Sequence, residues 1–186
     1  CEADPVPYGR PAMKLPRTLL LMSLLSLLLG VARAEPLKVG DKAPVVSALT
    51  DEGKTLNLGD VYRQNNYTLV WFYPKALTGG CTKQGCSLRD AYEELTRKGV
   101  TVIGVSTDKP EAQKAFREKY NLPFTLLADH DQAVIKAFGV PVKDVPVMGA
   151  FASRQAYLID KDGKIVWCDY KAKTDKQAED VLAVLK

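Results

Sequence analysis

The sequence has very little histidine: His130 is the only one in 186 residues. That scarcity excludes histidine pairs as acid and base, and it makes a zinc site built on Cys/His clusters improbable. His130 lies in the polar run Ala128-Asp-His-Asp-Gln132, where a solvated turn residue is the plain reading. No Cys-x-x-Cys occurs, so the usual dithiol motif of a disulfide-exchanging enzyme is missing. Gly79-Gly80 is not followed by Gly-Lys-Ser/Thr and makes no phosphate loop. Neither charge sign dominates, with 26 basic against 22 acidic residues, and the basic ones are dispersed, which argues against nucleic acid as a partner. Repeats and low-complexity segments are absent too. Asp129, Asp131 and Asp160 read as turn formers rather than an acid/base pair.

What is present begins with a leader-like stretch. Lys14 and Arg17 follow Met13 as a basic region, Leu19 to Leu29 forms an apolar core, and Ala32-Arg-Ala34 offers small residues at a cleavage site. The pattern predicts a signal peptide over residues 13–34, because the uninterrupted apolar run is shorter than the roughly 20 residues that span a bilayer. Residues 1–12 precede Met13 and read as upstream sequence or a misplaced start, which leaves Cys1 without a role. Cleavage after Ala34 leaves 152 of the 186 residues, 35–186, enough for one domain with a real core. The expectation is an exported protein, periplasmic in a Gram-negative source, with no membrane association after cleavage.

The most informative segment is Pro74-Lys-Ala-Leu-Thr78-Gly-Gly-Cys81-Thr-Lys-Gln-Gly-Cys86. An apolar, β-prone run, Thr68 to Tyr73, precedes it, and Leu88, Ala91, Tyr92 and Leu95 follow at helical spacing. Cys81 therefore falls at a strand-loop-helix junction, where unpaired N–H groups and the positive end of the helix dipole favour thiolate over thiol. Two cysteines five residues apart in a regular helix have Cα atoms about 8.7 Å apart and rotated by about 140°. A disulfide tolerates only about 7 Å. The pair can cross-link only if the first turns of the helix unwind, and Gly79, Gly80 and Gly85 lower the cost of doing so. The competing reading is a pair of inert or permanently bridged cysteines. The glycine-rich approach and the polar Thr-Lys-Gln interior suit an accessible, mobile thiol better.

Strand-like and helix-like segments alternate over the rest. Val45 to Leu49 and Thr55 to Leu58 form a hairpin around Asp51-Glu-Gly53. Strand Tyr67 to Tyr73, the cysteine helix to about Arg97, strand Val100 to Ser106, helix Glu111 to Tyr120, strand Phe124 to Leu127 and helix Gln132 to Phe138 follow. Gly139 to Ser153, with Pro141 and Pro146, is predicted to be irregular. Strands Gln155 to Ile159 and Ile165 to Tyr170 flank the turn at Asp160 to Gly163, and a last helix puts Ala178, Val181, Leu182 and Leu185 on one face. In Ile165 to Tyr170, simple alternation sets Val166, Cys168 and Tyr170 against Ile165, Trp167 and Asp169 and predicts Cys168 to be a buried structural cysteine. The fold class is α/β, a mixed central sheet flanked by helices with an N-terminal hairpin. In such sheets ligands sit at the carboxyl ends of strands, where Cys81 lies.

These residues resemble a known family, the peroxiredoxins, and within it the bacterioferritin comigratory protein or peroxiredoxin Q group. The pattern Pro-x-x-x-Thr-x-x-Cys appears as Pro74, Thr78 and Cys81, and the group's second cysteine, five residues on, as Cys86. Phe72-Tyr-Pro-Lys75, Arg89-Asp90, Gly104-Val-Ser-Thr-Asp-Lys-Pro110 and Arg154-x-x-x-Leu-Ile-Asp160 add to the likeness, which covers residues 37–186. The resemblance implies a thioredoxin-like fold and a thiol peroxidase without metal, haem or flavin. It implies that Cys81 attacks a peroxide and becomes sulfenic acid, that Cys86 resolves it as an intrachain disulfide, and that an external thioredoxin-like dithiol restores both. Pro74 then shields the sulfur, Thr78 offers its hydroxyl to sulfur or peroxide, and Arg154 supplies a permanent cation. A monomer is expected, because both cysteines lie in one chain. Gly79 stands where the group usually carries proline, and Gly139 to Ser153 departs from its pattern. The alternatives are an exported thiol-disulfide oxidoreductase acting on proteins, which lacks its Cys-x-x-Cys here, and a non-catalytic holdase or binding module with a structural disulfide.

Overall fold

Tyr67–Phe72 is the strand on which the molecule is built. In the computed structural model, which describes residues 35–185, Thr68 to Phe72 are wholly buried on both faces, as a central strand requires. The leader-like residues 13–34 and the upstream residues 1–12 lie outside the described residues. The strands are β1 (Ser47–Thr50), β2 (Thr55–Asn57), β3 (Tyr67–Phe72), β4 (Val100–Ser106), β5 (Thr125–Ala128), β8 (Gln155–Asp160) and β9 (Ile165–Asp169), in the sheet order β2-β1-β5-β4-β3-β8-β9. Pairings β3·β4 and β4·β5 are parallel, and the others in this sheet are antiparallel. Two further strands, β6 (Val142–Val145) and β7 (Gly149–Ala152), form a separate hairpin.

Alternation along the strands divides the core into two layers. Leu69, Trp71 and Tyr73 face helices α2 (Gly79–Asp90), α3 (Tyr92–Arg97), α4 (Pro110–Tyr120) and α6 (Gln177–Val184), meeting Leu88, Leu95, Phe116 and Val181. Val70 and Phe72 face α1 (Leu58–Gln64) and α5 (Ala133–Ala137), meeting Leu58, Tyr62, Val134 and Ile135. Trp71 stacks on Tyr73 with ring centroids 4.4 Å apart and lies across β4, where a Cβ on Gly104 would come within 3.0 Å of the indole. The parallel pair β3·β4 therefore demands glycine at 104.

The mixed sheet with helices on both faces and the N-terminal hairpin match the expectation from the sequence. Four local features differ. The cysteine helix breaks at Ala91 (φ −96°, ψ 4°), and α3 restarts beyond it; alanine gives no signal of a break. Residues 139–153 are ordered, with Pro146 confined to the turn between β6 and β7 so that neither short strand loses a ladder donor. Helix α1 was not anticipated; Asn57 caps it by accepting from Gly59 N–H at 2.9 Å. In β9, Val166 is a bulge: Leu158 pairs with Trp167 and Ile159 with Ile165. The extra residue puts Val166 and Trp167 on one face, and returns Cys168 to the face of Ile165. Cys168 is half-buried and free, not the buried cysteine that simple alternation predicts.

Candidate active site

Where β3 ends, Tyr73 and Pro74 lead into a loop that turns through Leu77, a residue at φ 63°, and enters α2 behind Thr78. Thr78 makes no side-chain cap. It instead donates its hydroxyl to the Lys75 carbonyl at 2.9 Å, so toward sulfur or peroxide only its lone pairs are free. No acidic residue occupies the first turn of α2, and its initial N–H groups, that of Cys81 among them, have no partner within the helix. Asp108 secures the loop from below. Its carboxylate accepts from Ala76 N–H at 2.7 Å and from the Ser106 hydroxyl at 2.8 Å, with Lys75 Nζ 3.6 Å away. Gln113 continues the network, accepting from the Tyr73 hydroxyl and donating to Ser106 and to the Leu127 carbonyl. Burial pushes the Tyr73 hydroxyl well above its ordinary pKa, so it stays a neutral donor.

Cys81 is 1% exposed and packs in the core layer that holds Trp71 and Tyr73. The accessible thiol expected from the glycine-rich approach is therefore corrected: the start of α2 is docked against the sheet. What distinguishes this sulfur from a core filler is Arg154. Its Nη2 lies 3.5 Å from Cys81 Sγ and its Nη1 donates to Gln84 Oε1. Arg154 arrives there because it immediately precedes β8, whose first residue, Gln155, pairs with Phe72 at the end of β3. The register of two antiparallel strands thus delivers a cation to the mouth of the cysteine loop. Pro74 is half-buried at the same strand end.

Cys86 lies five residues on in the same intact helix, and both sulfurs are free, as the helical separation requires. It faces away from Arg154, into a groove of about 1040 Å³ between α2, α3 and α6 that is also lined by Lys83, Asp90, Glu94 and Leu182. The structure thus brings Cys81, Arg154 and the Thr78 loop together and holds Cys86 apart. Sequence reasoning missed Asp108, Gln84 and Gln177. Asp108 stood in a segment quoted for the resemblance, but Gln84 read as part of a solvated interior, whereas it is fully buried. Among the described residues no group of three or more His, Cys, Asp or Glu could hold a metal ion, and no helix is long and apolar enough to cross a membrane.

The two glycines before Cys81 differ in necessity. A Cβ on Gly80 would stand 3.3 Å from Arg154 Nη2, whereas one on Gly79 would meet nothing within 4 Å. Gly79 is the first helical residue, where proline is favoured, and Thr78 already holds the extended conformation (φ −85°, ψ 151°) that proline imposes on its predecessor. Gly79→Pro is expected to stabilise the reduced protein by about 0.4–1 kcal/mol, read as a raised melting temperature in calorimetry.

A cysteine at a helix start with a guanidinium on its sulfur, set at the carboxyl end of a central strand, is the arrangement that thiol-based enzyme chemistry needs. The chain belongs to the AhpC/TSA family, whose sequence model matches residues 39–168. Within that family its likeness is to the Bcp and peroxiredoxin Q proteins. Peroxiredoxin Bcp of Escherichia coli is 46% identical over 154 residues, 81% of this chain and 97% of that protein. The chloroplastic peroxiredoxin Q of Populus jackii is 40% identical over 126 residues, 68% of this chain and 57% of that protein. The crystal structure of peroxidoxin BcpB from Mycobacterium tuberculosis superposes with a TM-score of 0.74 at 29% identity, over 80% of this chain and 96% of that one, and shares the thioredoxin-like fold. The activity class is thiol peroxidase.

Proposed function

We propose that Cys81 is the peroxide-reducing nucleophile and Cys86 its resolving partner. The observation that carries this reading is the Arg154 guanidinium on Cys81 Sγ at the first turn of α2. The Cys81 thiolate attacks one peroxide oxygen, the O–O bond breaks, and the departing oxygen leaves as water or alcohol after taking up a proton. Negative charge develops on that oxygen, so the Cys81 N–H and the Arg154 guanidinium, fixed beforehand, lower the barrier. Pro74 keeps bulk water from the sulfur, and Thr78, its hydroxyl already donating to the Lys75 carbonyl, accepts from the incoming hydroperoxide and orients it.

The sulfenic acid on Cys81 then condenses with the Cys86 thiol, releasing water and forming the disulfide. Because the two lie on different sides of α2, this step requires the first turns of that helix to unwind. A thioredoxin-like dithiol protein then exchanges with the disulfide, is itself oxidised, and leaves both cysteines reduced. Hydrogen peroxide and organic hydroperoxides are both substrates in this reading. Export rests on the leader-like residues 13–34 alone.

Cys86→Ser tests the division of labour. After one equivalent of peroxide, mass spectrometry of the variant is expected to find one or more added oxygens on Cys81 and no bridge. Catalytic turnover with a dithiol protein should be lost, while one round of peroxide reduction persists. An unmodified Cys81 in that variant would remove it from the nucleophile's role.

A further inference from the structure

Arg154, Gln84 and Gln177 form a line of hydrogen bonds whose direction is set by chemistry. A guanidinium has donors only, so Gln84 must turn its carbonyl oxygen to Arg154 and its amide nitrogen the other way. That nitrogen needs an acceptor, which Gln177 Oε1, at the start of α6, provides. Gln84 is 0% and Gln177 1% exposed, so bulk solvent has no access to either amide. The polarity ends badly for Gln177, whose Nε2 is buried without a partner. A buried orphan donor costs stability, and an acid or an apolar side chain at 177 would avoid it. What glutamine supplies is the acceptor oxygen at the end of the line.

From this geometry we infer that Gln177 is a positioning residue for the peroxide step, acting through Gln84 to hold Arg154 on Cys81. The inference rests on the reading in which Cys81 reduces peroxide. With Nη1 tied to a Gln84 that cannot rotate, the guanidinium plane is fixed and Nη2 stays 3.5 Å from Cys81 Sγ. Without the acceptor on α6, the Gln84 N–H is buried and unsatisfied, its amide turns to find a partner, and Arg154 loses its fixed orientation. Catalysis by a charged donor depends on that orientation being set before the reaction.

The test is rapid-mixing oxidation of the reduced full chain by hydrogen peroxide in single turnover. Gln177→Met removes the acceptor and is expected to slow oxidation of Cys81 by about tenfold, the scale of coupling within one hydrogen-bond network. Gln177→Glu keeps an acceptor oxygen, discards the orphan N–H, and is expected to stay within about threefold of wild type. Gln84→Met combined with Gln177→Met should be no slower than Gln84→Met alone, since both cut the same line. Reduction of the disulfide form by dithiothreitol should not change in any variant. Should Gln177→Met fail to fold, Gln177→Leu reads the same loss. Wild-type speed in the Met or Leu variant overturns the inference, as does a Glu variant that slows alongside Met in step with a lowered melting temperature, which would be plain structural damage. If wild-type Cys81 itself takes up no oxygen, the peroxide reading has failed instead.

Discussion

Cys81→Ser is expected to reduce peroxide turnover to the uncatalysed rate while leaving the fold intact. The serine hydroxyl is close in size to the thiol, and Cys81 is a small member of a core layer that also holds the much larger, fully buried Trp71, Tyr73 and Leu88. The new oxygen can accept from Arg154, so the buried polar atom has a partner. Circular dichroism and the melting temperature should therefore stay near wild type, within the roughly 0.5–1 kcal/mol typical of mild substitutions. The chemistry has no such substitute: a neutral hydroxyl is a weak nucleophile and has no neighbouring base to activate it, and no histidine lies in this segment. A peroxide-consumption assay with a dithiol reductant would settle the point. Residual turnover above a few per cent of wild type would move the nucleophile to another sulfur, and Cys86 or Cys168 would then have to be examined in its place.

Arg154→Met is expected to slow the peroxide step by about 10²- to 10³-fold, the usual cost of removing one preorganised donor from a developing oxyanion. Methionine keeps much of the arginine stem's volume and loses all of its donors. The side chain touches two partners, Cys81 and Gln84, so the variant strips the sulfur of its cation and leaves Gln84 Oε1 unpaired. The second loss costs stability of about 1–3 kcal/mol, which the melting temperature will register without unfolding the protein at ambient temperature. Stopped-flow oxidation of the reduced protein separates the effects, because it follows only the first chemical step. Condensation of the sulfenic acid with Cys86 should change far less. A wild-type rate of oxidation would mean that the guanidinium contact is structural.

The location of the site was legible before the fold was, and the reason is local. An apolar strand run, a glycine-rich loop and a helical periodicity meet around Cys81 between Thr68 and Leu95, so near-neighbour patterns carry the argument. Arg154 was legible through the family resemblance, in the segment Arg154-x-x-x-Leu-Ile-Asp160, and the structure sets it immediately before β8. Gln84 was not, since a glutamine between lysine and glycine on a helix looks solvated, and its burial follows from a guanidinium delivered 70 residues later in the chain. The same holds for Asp108, whose role appears only when the loop folds back so that Ala76 can donate to it. The bulge at Val166 had no signal either: β-branched residues suit a regular strand, and the extra residue shows only once β9 is paired with β8.

The placement of Gln84 sets an order on events. It stands three residues after one cysteine and two before the other, so the stretch that must be reeled out to join the sulfurs is also the stretch that aims the arginine. In the proposed cycle, a bridged chain is disarmed by the same movement that bridges it, and readiness for the next oxidant returns only when the spiral rewinds, which ties recharging to refolding.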